Sequence, residues 1–521
     1  MKFDFRKWPI LLLVIAICGC SKKDVVPDEG DDLGIDKSKT YLSDAKENQL
    51  KEDVWYYYKV LSLWQDYIPP TQYDEMYKIT EDNFIRDNYT QYFPTSQDVL
   101  DFLMGKTPID PSTDAPIDRY TFLDETGVVS DEIQNAQVKS YGMYLFFLQT
   151  PESKQAGDNY YLYVRMVDAG SPAYRAGIRR GDRILNMNGR TDLDRNAQIA
   201  QNFYGVNQEL SSETMSIQWI TPNNVQRTAQ MASEQYHFDP IVGEEIFTVS
   251  GKKIGYLAFS SFVNVVNQFG ATTDMYRRFE GIFDNFQSEN VKSLIVDLRY
   301  NGGGSTNTAE YLINRLAPPS ANGKQMYYYK LNTLLTREWK WTMADSAFAP
   351  VSIRKHGTFN VDKIYFLVSR NTASASELLI NSLKPYLGSN LQIIGPEKTY
   401  GKPVGSFPVE IGADEEAELY AISFQMFNSL GYGDYFGGLS LDKRASEDYF
   451  KDFGDPKEGL IANALYHFGN GRYAATALNK RASINGVEQE AKALPLSEPL
   501  GPPRGGDFGM FTFPKKEIRI K

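Results

Sequence analysis

A serine and a lysine stand at the ends of two neighbouring strand signals, and such a pair can carry out acyl transfer without a histidine. The first signal is Ile364 to Val368, which runs into a small-residue turn, Thr372-Ala373-Ser374-Ala375-Ser376. That turn opens an apolar, helix-like run from Glu377 to Leu387. A serine on a strand-to-helix turn can present its hydroxyl to a cleft, where the N–H groups of the helix start lack intrahelical acceptors. The second strand signal, Leu391 to Ile394, leads to the glycine turn Thr399-Tyr400-Gly401-Lys402. A neutral lysine amine can take the proton of a serine hydroxyl. Taken singly, each half has a plainer reading: Ser-Ala-Ser at a helix start is a cap, and Gly-Lys after a strand is a turn.

Taken together, TASASE followed by E-x-T-x-G-K resembles the active-site region of the S41 peptidases, the C-terminal processing or tail-specific proteases. The resemblance implies that Ser374 is the nucleophile and Lys402 the general base. A second stretch, Asp297-Leu298-Arg299-Tyr300-Asn301-Gly302-Gly303-Gly304, follows the continuous apolar strand Ser293 to Leu298. Three glycines let a backbone turn sharply and approach a ligand closely. No G-K-S/T follows, so this is not a phosphate loop of the Walker type. The run resembles the D-L-R-x-N-x-G-G motif of the same family, which implies an oxyanion hole from Gly303 or Gly304 with Ala375. Asp297 and Arg299 are expected to brace the turn. Glu377 matches a family glutamate or simply favours the helix N-terminus. Where some members carry a glutamine four residues after the lysine, this chain has Ser406, so the third catalytic member stays unassigned.

These residues need an α/β scaffold, and strands alternate with helical patterns through the region. The resemblance implies a crotonase-like spiral core, residues 237–469, with a PDZ-like β-rich domain inserted or placed before it and a helical region at the N-terminal side. The PDZ resemblance covers 138–236. It rests on the strand Tyr160 to Val167, on Ala169 to Arg190 with Gly181-Asp182-Arg183-Ile184, and on a hairpin signal at Asn188-Gly189. Tyr141, Gly142, Met143 and Tyr144 stand where the carboxylate-binding loop of that fold lies. A PDZ groove takes an extended peptide by strand addition, which implies polypeptide substrates recognised through their C-termini. A scaffolding or lid role for the module is the plainer alternative. Ahead of it, residues 41–137 read as a helical lead-in, with a short helix over Ser96 to Gly105 capped by Ser96. Asp118 to Phe122 resembles the D-x-Y-S-x-F/Y segment that precedes the PDZ domain in the family.

A chain of 521 residues is expected to divide into about three domains. The formal charge of −11, with no basic stripe to offset it, argues against nucleic acid as a partner. The two cysteines, Cys18 and Cys20, leave no disulfide framework, thiol nucleophile or cysteine zinc site in the body. No cofactor and no metal are expected. Lys2, Arg6 and Lys7 precede a short apolar run ending Ile17-Cys18-Gly19-Cys20, which resembles a bacterial lipobox. The expectation is a lipoprotein signal peptide over 1–20, lipidation of Cys20 and a polar tether over 21–40, with a reach of roughly 25 Å. That would hold the protein at the cell envelope on a lipid anchor, with outer-membrane sorting suggested by Ser21. The tail, 470–521, shows no legible chemistry. Competing readings are a catalytically silent, membrane-tethered PDZ scaffold, a Ser-His esterase using His356 or His467, and a crotonase-like acyl-CoA enzyme.

Overall fold

The computed structural model describes residues 33–41, 43–71, 78–111 and 113–474, and beyond these 482–484, 487–489, 492–493, 500 and 509–512. The signal peptide, Cys20 and most of the tether therefore lie outside the described residues.

The centre is a six-stranded sheet. Its order is Ile241–Val249, Lys252–Phe259, Ser293–Asp297, Lys363–Leu367, Leu391–Gly395 and Lys443–Arg444. The first pair is antiparallel and every later pair is parallel. Parallel strands need crossovers, and the helices Asp274–Ser288, Thr306–Leu316 and Ala375–Leu387 fall between them in the chain. With both faces covered, the strands read as continuous apolar runs rather than alternating ones. Leu294, Val296, Ile364 and Phe366 face one core, together with Phe279, Phe283, Leu312 and Leu379. Ile295, Tyr365 and Leu367 face another, closed by Leu460, Ile461 and Ala464 of helix Gly459–Asn470. The sheet is thus an α/β layer, as the alternation of patterns implies.

A second sheet, Val351–Ser352, Gln325–Leu331, Phe424–Asn428 and Val404–Gly405, is antiparallel. A third joins Val409–Ile411 and Ala417–Tyr420 to Phe122–Asp124 from the lead-in. The lead-in is therefore woven into the core rather than standing apart. Its main helix, Ala45–Leu61, buries Val54, Trp55 and Tyr58 in the large cluster. The helix Ser96–Gly105 is capped by Thr95 and not by Ser96: Thr95 Oγ1 accepts the Asp98 N–H at 3.1 Å. Thr95 has the extended backbone that a cap requires, and Ser96 is already helical. Leu33 and Ile35 pack against the core, so the stretch read as a tether attaches to the fold before residue 40.

The module at 138–236 is built on a sheet of order Lys492–Ala493, Met143–Gln149, Tyr161–Val167, Arg183–Met187, Thr214–Ile220 and Gln226–Ala232. It has its own apolar centre around Leu145, Val164, Ile184, Ile217 and Trp219. Asn188-Gly189 does form a tight turn, with φ of 51° and 90°. It closes only a single bridge, Met187 to Arg190, and not a hairpin. The ladder partner of Arg183–Met187 arrives from Thr214–Ile220, because two short helices, Arg195–Ile199 and Tyr204–Leu210, intervene. The module joins the core through a two-stranded neck, Gln137–Ser140 against Glu234–His237. The tail is not all peripheral, since Met510–Phe511 pairs in parallel with Gly304–Ser305 inside the core.

Candidate active site

Three adjacent parallel strands, Ser293–Asp297, Lys363–Leu367 and Leu391–Gly395, end on the same edge of the sheet. The loops beyond their carboxyl ends carry, in order, Gly303 and Gly304, Ser374, and Lys402. Ligands of open α/β sheets bind at that edge.

Ser374 sits at the elbow before helix Ala375–Leu387, with φ 62° and ψ −111°. A non-glycine residue in this region is strained, and strain of this kind gathers at functional turns. The elbow is held from outside by Thr372 Oγ1 donating to Leu298 O at 2.6 Å, and by Ser376 Oγ donating to Asn301 O at 3.0 Å. Ser374 Oγ is buried and makes no hydrogen bond. The Ser374–Lys402 hydrogen bond is therefore not formed in this structure.

Glu377 ties the elbow to the glycine-lysine turn. Its carboxylate accepts the N–H groups of Ser374 at 2.9 Å, Gly401 at 2.8 Å and Lys402 at 2.8 Å, and the Thr399 hydroxyl at 2.5 Å. Burial raises its carboxyl above the usual range, and these hydrogen bonds pull the other way. A role confined to the start of its own helix is thus too narrow, because three of the four donors lie within the 399–402 turn.

Lys402 is 5% exposed. Burial lowers its amine to about 7, opposed by the nearby charges of Asp118 and Glu377. Its Nζ lies 5.0 Å from the centre of the Tyr120 ring. Tyr120 donates its hydroxyl to Gly401 O at 3.0 Å. Asp118 accepts from Tyr58 Oη at 2.7 Å and from the Thr121 hydroxyl at 2.6 Å. The Asp118–Phe122 segment therefore forms the floor beneath the lysine. Sequence reasoning placed it in the chain but gave it no role at the site, since it lies some 280 positions away.

On the glycine loop, Gly303 and Gly304 have φ of 123° and 130°, which only glycine adopts without strain. A Cβ on Gly303 would fall 3.0 Å from Ser374 Cβ. The Gly303 N–H donates to Asn301 Oδ1 at 3.0 Å, and Asn301 Nδ2 donates to Phe259 O at 3.0 Å. Asp297 and Arg299 brace the turn as expected: Arg299 bonds Asp297 at 2.7 Å, Glu447 at 3.2 Å and Glu458 at 2.9 Å, all buried. Ser406 meets the site through its backbone, with its N–H donating to Met510 O at 3.2 Å. Neither candidate histidine is bonded to Ser374. His356 contacts Tyr276 Oη at 3.3 Å, and His467 contacts Tyr365 Oη at 2.9 Å.

In the PDZ-like module Tyr141 is a core residue, its hydroxyl bonded to Ser212 O at 2.7 Å. The Gly142 N–H donates to Ser140 Oγ at 3.0 Å. Met143 and Tyr144 begin the strand Met143–Gln149. The module touches the site through Arg180, whose guanidinium bonds Glu447 at 2.5 Å and the Tyr300 hydroxyl at 3.2 Å. Among the described residues no group of histidine, cysteine or acidic side chains could hold a metal ion.

Comparisons with known proteins agree with this layout. The description of peptidase family S41 matches residues 253–429, and that of the PDZ domain matches residues 163–201. A carboxyl-terminal-processing protease of Synechocystis sp. is 25% identical over 237 residues, covering 45% of this chain and 48% of its own. The chloroplastic C-terminal processing peptidase of Tetradesmus obliquus is 26% identical over 256 residues, covering 45% of this chain and 46% of its own. The chain thus spans about half the length of the curated relatives it matches. A crystal structure assigned to the S41 proteases, from Bacteroides fragilis NCTC 9343, superposes with a TM-score of 0.59 at 22% identity, covering 80% of this chain and 97% of that one.

Proposed function

From the premise that this chain carries a peptidase family S41 core beside a PDZ domain, we propose that it is a serine endopeptidase working through a Ser374–Lys402 dyad. What carries the reading is the convergence of three neighbouring loops on one sheet edge: a strained serine elbow, a buried lysine whose amine is pushed down to about 7, and a glycine turn. Neutral Lys402 takes the Ser374 proton as Oγ attacks the carbonyl carbon of a peptide bond. Backbone N–H groups of Ala375 and of Gly303 or Gly304 receive the developing oxyanion; one such donor is worth about 3 kcal/mol of barrier. For Gly303 this means exchanging its bond to Asn301 Oδ1. Lys402 then returns the proton to the leaving amine, and water releases the acyl group. The PDZ-like module selects polypeptide C-termini, and Cys20 anchors the protein by lipid at the cell envelope. No described helix is long and apolar enough to cross a membrane.

The test is hydrolysis of matched peptides with free and amidated C-termini by the parent protein, Ser374→Ala and Lys402→Ala. Both variants are expected to lose turnover by about 10⁴-fold or more while remaining folded. Full activity in either one overturns the dyad; full activity in Lys402→Ala alone favours a histidine-based enzyme, and no hydrolysis by the parent protein favours a silent scaffold. Equal cleavage of the two peptide forms removes recognition of the C-terminus by the module.

A further inference from the structure

A short piece of the late chain lies where a bound peptide would lie. Gly509 to Thr512 are all buried and fill a slot between the two halves of the candidate site. On one side, Met510 and Phe511 run parallel to Gly304 and Ser305 of the glycine loop. On the other, Ser406 N–H donates to Met510 O at 3.2 Å and Thr512 N–H donates to Ser406 O at 3.0 Å. This is strand addition to two edges at once.

The placement reaches the reacting groups. A Cβ on Gly509 would collide with Lys402 Nζ and lie 2.8 Å from Cε. The Gly509 carbonyl oxygen stands 2.8 Å from where a Gly303 Cβ would be, beside Ser374 Cβ. Gly509 therefore rests against the Lys402 side chain and against the proposed oxyanion loop beside Ser374, whose Oγ makes no hydrogen bond. Beyond it, Phe511 packs against Tyr420 and Phe122, with ring centres 5.2 and 6.2 Å away. Thr512 borders a cavity of about 400 Å³ lined by Thr306, Glu310, Tyr329 and Ser346, a route by which an extended chain can continue.

We propose that Gly509–Thr512 is an intramolecular peptide ligand of the Ser374–Lys402 cleft, so that the full chain is self-occupied and a substrate polypeptide must displace this segment. The inference rests on the peptidase reading of the site and deepens it. The cleft takes an extended peptide with a small residue facing Lys402, followed by two large apolar residues. A tethered ligand acts at an effective concentration on the order of mM, which is enough to mask a site of ordinary peptide affinity.

The experiment uses the full chain and the substitutions Gly509→Ala and Gly509→Leu, which place a methyl or an isobutyl group against Lys402. Binding of a fluorescein-labelled peptide of sequence GDFGMFTF is read by anisotropy, and hydrolysis of a labelled polypeptide is read as kcat and KM. Self-occupancy predicts at least tenfold tighter peptide binding in Gly509→Leu, a smaller gain in Gly509→Ala, and a tenfold lower KM with similar kcat. Equal peptide affinity in parent and variants overturns it. So does loss of the folded core in both variants, because the segment is then architecture. If no protein hydrolyses substrate yet the affinities differ as stated, the inference stands and the peptidase reading falls. If the parent hydrolyses with the same KM as the variants, the inference falls and the peptidase reading stands.

Discussion

Glu377 holds Lys402 by the lysine's own backbone: the Lys402 N–H donates to Glu377 Oε2 at 2.8 Å, and the same oxygen accepts the Ser374 N–H at 2.9 Å. One carboxylate atom thus fixes the spacing of two loops that belong to different strands. The other oxygen secures the same turn through Thr399 and Gly401.

Glu377→Gln tests that clamp. The amide keeps the size but has one accepting oxygen in place of two, so at least one buried donor loses its partner. The expected cost is about 3 kcal/mol of stability, since hydrogen bonds to a charged group are worth about 1.5–3 kcal/mol each. Turnover should fall by about 10²-fold, because a displacement of about 1 Å at the reacting atoms costs that much. Denaturant melts and kcat on one peptide substrate check both. Unchanged kcat with reduced stability would mean that the clamp supports the fold alone.

With Lys402 as the proposed general base, its amine should set the pH profile. Its amine is lowered from 10.5 to about 7 by burial, and only the neutral form accepts a proton. The rate should rise with pH through about 7 and level off above it. Linkage gives the matching stability statement. Between about 7 and 10.5 the folded state binds fewer protons than the unfolded one, so stability declines as pH falls through that window and is constant below it. Lys402→Met removes the buried amine, and its stability advantage over the parent should grow as pH drops from 10.5 to about 7. Rate profiles and melts at matched pH values read both effects.

Arg180 links the module to the glycine loop. It donates to Glu447 at 2.5 Å, to the Tyr300 hydroxyl at 3.2 Å and to Lys451 O at 2.9 Å, with its side chain 4% exposed. Tyr300 directly precedes Asn301, which holds the Gly303 N–H. Arg180→Ala breaks a buried ion pair, a change that costs about 3–5 kcal/mol. Turnover should fall as well, since the loop loses its outer support. Parental kcat in a folded but destabilised variant would restrict Arg180 to a structural role.

How far the sequence alone reaches differs from part to part. The strands that carry the site were legible because parallel strands buried on both faces read as continuous apolar runs, as Ser293–Asp297 does. The loops that carry Ser374, Gly303 and Lys402 were legible because they break those runs with small residues. The floor of the site was not. Tyr120 meets Gly401 across 281 positions, and no local pattern encodes that meeting. The tail failed for another reason. Gly509-Met510-Phe511-Thr512 has neither helical nor strand length, and its burial comes from two edges supplied by distant parts of the chain. The hairpin signal at Asn188-Gly189 gave the right turn but the wrong partner, because a turn fixes local geometry and not which strand completes the ladder.

The neck has a topological consequence. Gln137 and His237 are register partners, so the backbone leaves the core and returns to it about 5 Å apart. Residues 138–236 are therefore an insertion with adjacent ends, although Lys492–Ala493 and Arg180 tie them again to the tail and the core. A two-residue turn could bridge the gap between the two strands, and a different module could be grafted onto the same pair without changing the order of strands in the core beneath.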